Sequence, residues 1–239
     1  MATTKIQQTD QRQSAFIAGI SLIIMTLAAF FSYGFVHASL VIPGDANATF
    51  HNIRSSSMLF NAEIFGWVII LICDIVVAWA FYIFLKPVNT SLSLLGAWFR
   101  LTYGAVLGIA ILNLIFGRLL SSSTDDLGLF TTEQLQALMM LFLNAFELIW
   151  SIGLIIFGGH LLIVGYVAIT SGGIPKIISI LLLIAGVGYM LIHLCNTFLP
   201  QYDGITTILK YVFTVPMIVG ELGFGLWLLF KGGKKPIPA

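Results

Sequence analysis

Four ionisable residues stand isolated in long apolar runs of this chain: Asp74, in Ile70-Leu71-Ile72-Cys73-Asp74-Ile75-Val76-Val77, then Arg100, His160 and Glu221. An unpaired charge in such surroundings is expensive, so each needs a partner or a task. Counting from the nearest polar break shows that they share a depth. Asp74 lies 12 residues before Lys86, Arg100 11 after Asn89, His160 11 before Ser171 and Glu221 10 before Lys231. At 1.5 Å per helical residue, each sits about 15–18 Å from its break. Asp74 and Arg100 lie on two arms of one hairpin, which predicts a carboxylate–guanidinium pair. His160 and Glu221 are the protonatable members, since imidazole titrates near neutrality. The chemistry implied is proton-linked or ligand-binding, carried by a polar cluster at the membrane midplane.

A second polar layer lies toward the opposite ends of the same runs: Glu63, Asn113, Glu147, His193 and Asn196. Glu63 precedes Asp74 by 11 residues, three turns along one helical face. Such a layer reads as a water-filled vestibule or as snorkelling side chains. His37, near the outer end of the first run, reads as an interfacial histidine.

The elements that must hold these residues follow from composition. Of 239 residues, 59% are hydrophobic and 9% charged; mean hydropathy is +1.01. A soluble domain carries about 25% charged residues, so the chain reads as all-α and polytopic in a membrane. A spanning helix takes about 20 apolar residues. Six stretches qualify: 15–41, 57–85, 92–119, 136–169, 175–199 and 206–230. Pro-, Gly-, Asn- and Ser-rich breaks separate them. The first is too long for a signal-peptide core and is kept as a mature helix. Thr131-Thr132-Glu133-Gln134 resembles a capping box opening the fourth helix, which is too long for the bilayer and starts outside it. The reading is one transmembrane domain over 15–231, between cytoplasmic tails at 1–14 and 232–239. Lys5, Arg12, Lys86, Lys176, Lys231, Lys234 and Lys235 gather on one side, against Arg54, Lys210 and Arg118 with Asp45, Asp125, Asp126, Glu133 and Asp203 on the other. The positive-inside rule then puts both termini in the cytoplasm.

Other chemistries find little support. A net charge of +1 with no basic face gives no case for nucleic acid. Cys73 and Cys195 read as buried thiols, and no disulfide or metal framework is expected. His160 and His193 differ in depth by about 10 Å, which disfavours bis-histidine haem. No cofactor is implied, and no HExxH, GxSxG or P-loop motif occurs. Gly104-x-x-x-Gly108 reads as a helix-packing pair. Membrane lipids are the expected surroundings and a small molecule the possible ligand. Nothing in the sequence sets an oligomeric state.

Several stretches resemble a bacterial family of six-span membrane proteins known as a domain of unknown function. They are Phe31-Ser32-Tyr33-Gly34-Phe35-Val36-His37 with Val41-Ile42-Pro43-Gly44-Asp45-Ala46, Leu85-Lys86-Pro87-Val88-Asn89, and Phe157-Gly158-Gly159-His160 with Gly165-Tyr166. Ile174-Pro175-Lys176-Ile177 and Val219-Gly220-Glu221-Leu222 with Trp227 complete the set. The resemblance implies six spans and a bacterial cytoplasmic membrane, and it carries no activity. It also leads one to expect an Asp in the fifth span where this chain has Ile192-His193.

Three functions compete. The leading one is non-enzymatic: small-molecule or proton-linked transport, or ligand binding, at Asp74, Arg100, His160 and Glu221. The second is an intramembrane enzyme on a lipid or isoprenoid, with Glu63, Glu147, His193 and Asn196 lining an outward cavity and Ser151, one turn from Glu147, as nucleophile. The third is a structural subunit whose buried charges set helix register. A sealed, dry cluster favours the structural role for those residues, and a wet one favours binding or catalysis.

Overall fold

The computed structural model describes residues 2–122 and 130–234, so Asp125, Asp126 and Lys235 lie outside the described residues. The backbone is almost wholly helical, and no strand occurs among the described residues. The chain belongs to the membrane class: six helical stretches are long and apolar enough to cross a bilayer. Burial is inverted relative to a soluble protein. Asp74, Arg100, Glu63 and His160 are fully buried, while Tyr211 and Ile177 are 82% and 69% exposed. Apolar side chains face outward because lipid is the solvent there.

α1 (Ala2–Ala29) continues through a π-helical stretch at Phe30–His37 and a closing turn at Ala38–Leu40. It is helical from Ala2 onward. Gly44, at φ +81°, turns the chain, and Asp45 caps α2 (Ala46–Ser55) by accepting from the Ala48 amide at 2.9 Å. The sequence reading passed over α2. It is only ten residues long, and Thr49, Phe50 and Ile53 form its buried face.

α3 (Ser57–Leu85) and α4 (Thr90–Ser122) form the hairpin around Lys86–Asn89, and Asn89 Oδ1 accepts from the Leu92 amide at 2.9 Å. α5 (Thr132–Thr170) is 39 residues long. The capping box is present: Gln134 Oε1 accepts from the Thr131 amide at 2.9 Å, and Thr131 Oγ1 accepts from the Gln134 amide at 3.3 Å. α6 (Lys176–Phe198) and α7 (Asp203–Phe230, with Pro216 inside) complete the chain.

The contacts group the chain into two compact units. One comprises the described residues of Met1–Ile24, Ile72–Ala105 and Ser151–Ala239; the other comprises Met25–Leu71 and Val106–Trp150. In the first unit, Arg12 ties α1 to the end of α7. Its guanidinium donates to the carbonyls of Leu229 and Gly232 at 2.9 Å and of Leu228 at 3.2 Å. These are the terminal carbonyls that a helix leaves without partners. α5 and α6 meet at Gly158 and Gly186. A Cβ on either glycine would lie 2.7–2.8 Å from the carbonyl oxygen of the other, so only glycine permits that approach. At Gly108 of the expected packing pair, an added Cβ would make only ordinary contact, 3.7 Å from Leu71.

Candidate functional site

Three of the four midplane residues meet in the first unit. Arg100 Nη2 lies 2.8 Å from Asp74 Oδ1, and Arg100 Nη1 lies 3.2 Å from His160 Nε2. His160 Nδ1 is 2.8 Å from the Gly96 carbonyl. A carbonyl only accepts, so Nδ1 carries the proton and Nε2 accepts from the guanidinium. His160 is therefore engaged at both nitrogens as a neutral ring, and a second proton would have to displace Arg100. Phe81 and Phe157 cover the guanidinium, with centroids 5.7 and 5.3 Å from its carbon. The apolar crevice beside His160, lined by Phe81, Gly96, Ile163 and Val167 among others, has no room for a water molecule.

Glu221 shares the depth but has a different partner. Its Oε1 accepts from the Tyr189 hydroxyl at 2.8 Å, and Tyr189 meets Phe157 edge-on at 5.2 Å. Depth counting could not supply this, because it gives a level along the helix axis and not a direction around it.

The outer residues fall in both units. Asn113 donates to the Ile109 carbonyl of its own helix at 3.0 Å. In the first unit, Ser151 Oγ lies 2.9 Å from His193 Nδ1, 3.4 Å from Asn196 Nδ2 and 3.1 Å from Thr197 Oγ1. Asn196 and Thr197 donate to that hydroxyl, which leaves its own proton for His193; the contacts tie α5 to α6, and the Ser151–His193 pairing is the spacing a nucleophile and its base would have. Glu63 and Glu147 belong to the other unit.

There, the two acids enclose the histidine that had been read as merely interfacial. His37 Nδ1 is 2.7 Å from Glu63 Oε1, and Nε2 is 3.4 Å from Glu147 Oε1. The Tyr33 hydroxyl donates to Glu147 Oε2 at 3.3 Å. Aromatic rings complete a cage. Tyr33 stacks on His37 at 5.5 Å, and Phe146 lies 5.8 Å from it. Behind these, Trp67 packs on Trp150 at 4.8 Å and on Phe146 at 5.1 Å, and Tyr33 meets Trp150 at 4.9 Å. Glu63 Oε2 and Trp67 Nε1 are buried with no hydrogen-bond partner among the described residues. Tyr33 and His37 are set by the π-helical stretch; such wide turns occur often at functional sites.

Donor counting defines what this cage can do. Both imidazole nitrogens face carboxylate oxygens, which donate only when protonated. The Nδ1–Glu63 contact is a hydrogen bond, while Nε2 and Glu147 lie at ion-pair distance only, so a neutral ring would bond Glu63 alone and an imidazolium would face both acids. The three groups run in order from the part-exposed Glu147 through His37 to the fully buried Glu63. The signal was legible: His37 lies six residues before Pro43 and Glu63 seven after Ser56, so their outer depths match. A metal has a poorer claim. The two nitrogens point to different acids, and no cluster of three or more His, Cys, Asp or Glu is arranged for an ion among the described residues.

Fold and site together define a polytopic helical membrane protein with two buried ionic clusters. More particularly, the chain belongs to the family described as "Domain of unknown function (DUF4386)", matched over residues 17–232. It is similar to an "Uncharacterized protein" of Archaeoglobus fulgidus (strain ATCC 49558 / DSM 4304 / JCM 9628 / NBRC 100126 / VC-16). The two are 31% identical over 174 residues, which cover 72% of this chain and 85% of the relative. That relative is archaeal. No solved structure matches the chain.

Proposed function

We propose that this chain is a non-enzymatic, proton-linked protein of the cytoplasmic membrane in which Glu147, His37 and Glu63 take up and pass a proton. The observation that carries the reading is one imidazole held between two carboxylates at 2.7 and 3.4 Å, one acid part-exposed and the other buried. The lysine and arginine bias directs both termini to the cytoplasm and opens the relay toward the opposite face. Asp74, Arg100 and His160 act as a scaffold, because Arg100 lies 2.8 Å from Asp74 and 3.2 Å from His160 and the crevice beside them has no room for water.

The test uses the purified chain in liposomes containing a pH-sensitive dye. An imposed pH gradient should decay faster with the wild-type chain than in empty liposomes, and His37→Gln and Glu63→Gln should abolish that increment. Equal flux in wild type and both variants would overturn the proposal.

A further inference from the structure

Resting on that reading, we propose that the His37 cage binds a lipophilic organic cation, which takes the place of the imidazolium between Glu63 and Glu147. Charge is the first argument. Two carboxylates enclose one histidine, so even with the ring protonated the cage keeps an excess negative charge, and Glu63 is fully buried. Buried charge of one sign calls for a proton or a cation.

The lining is the second argument. Tyr33, Trp67, Phe146 and Trp150 have ring centroids 4.8–5.1 Å apart in successive pairs. Such rings attract organic cations through their faces, Trp most strongly. His37 already sits among them, 5.5 and 5.8 Å from Tyr33 and Phe146. The third argument is Glu63 Oε2, a fully buried acceptor with no hydrogen-bond partner among the described residues. His37 uses Oε1 alone, so half of this carboxylate stands available to a second positive group.

The approach suits a lipophilic ligand. Tyr33 and the Glu147 side chain are 39% and 38% exposed, and Phe30 and Phe35 on the same stretch of helix are exposed as well. The element that must yield is the π-helical stretch Phe30–His37. Conversion to α geometry would move His37 out of register with Glu63. The charged and titratable groups facing His37 are Glu63 from α3, Glu147 from α5 and Tyr33 from its own helix. A cation displacing the imidazolium leaves it without carboxylate partners, so His37 releases its proton. Cation binding and proton release are then one exchange.

The experiment titrates the purified full chain in detergent with tetraphenylphosphonium, whose fixed charge delivers no proton. Calorimetry in two buffers of different ionisation heat counts the protons released. Saturable binding with proton release is expected, weakened about tenfold or more in Glu63→Gln and by a smaller factor in Trp67→Leu, as for loss of one cation–π partner. His37→Gln should bind without releasing a proton. Absence of saturable binding to wild type, or undiminished binding to Glu63→Gln, would overturn the inference. The proton reading is judged separately in liposomes: flux without cation binding removes only this inference, and absence of both removes both. Unchanged thermal melting of Trp67→Leu shows that its weaker binding is not a folding defect, and a variant that melts early but binds fully counts against the cage.

Discussion

His37 Nδ1 lies 2.7 Å from Glu63 Oε1, joining the end of the first span to the start of the next in a buried ion pair. The relationship supports the chain's stability and its proposed proton chemistry together, and the two are separable by mutation. His37→Ala leaves Glu63 buried without its histidine, and removal of one partner of a buried pair costs about 3–5 kcal/mol. Thermal unfolding in detergent should show the loss, and adding Glu63→Gln should recover most of it. An additive double variant would mean that the two side chains are not coupled.

Asp74 and Arg100 should behave as scaffold. Asp74→Asn or Arg100→Leu alone should cost roughly 3–5 kcal/mol, since each leaves an uncompensated charge. The exchange Asp74→Arg with Arg100→Asp should recover folding and keep proton flux. A refolded exchange variant without flux would assign the pair a chemical role.

Arg12 donates to three carbonyls at the end of α7. Arg12→Ala should cost about 2 kcal/mol, the range for hydrogen bonds to a charged group. Hydrogen exchange should localise the loss to faster exchange around residues 228–232, with α3 unaffected.

Gly186→Val should disrupt the α5–α6 contact. The new Cβ would lie 2.8 Å from the Gly158 carbonyl oxygen, a backbone atom that cannot move cheaply, and overpacking of this kind costs about 1–3 kcal/mol or more. Gly108→Ala should be nearly neutral by the same thermal assay, because its Cβ meets Leu71 at 3.7 Å.

The direction of insertion is open to labelling. With Cys73 and Cys195 first replaced, a cysteine at His51 on α2 should react with an impermeant maleimide added outside intact cells. Cysteines at Lys86 and Lys176 should react only after lysis. The reverse pattern would place the relay's opening in the cytoplasm.

Much of this architecture was legible because a bilayer imposes a length scale. Six apolar runs became six spanning helices, and Thr131 with Gln134 formed the capping box that their spacing announces. Counting along one hairpin also brought Asp74 and Arg100 to one level, where they pair. Less legible was α2, whose ten residues carry too short an apolar face for a hydropathy window. The π-helical turn before His37 has no strong residue signature either, since no proline interrupts Phe30–His37.

Sequence by itself determined depth, because helical rise is constant and position along an axis can be counted. It could not determine azimuth, the direction in which each side chain leaves its helix. Asp74, Arg100, His160 and Glu221 share a level, yet packing turned Glu221 to Tyr189 and committed both nitrogens of His160. Only the tertiary structure decided that His37, Glu63 and Glu147 face one another. Rotation about a helix axis is set by neighbouring side chains, and a π-helical turn shifts that rotation without changing the residues that an apolar run displays.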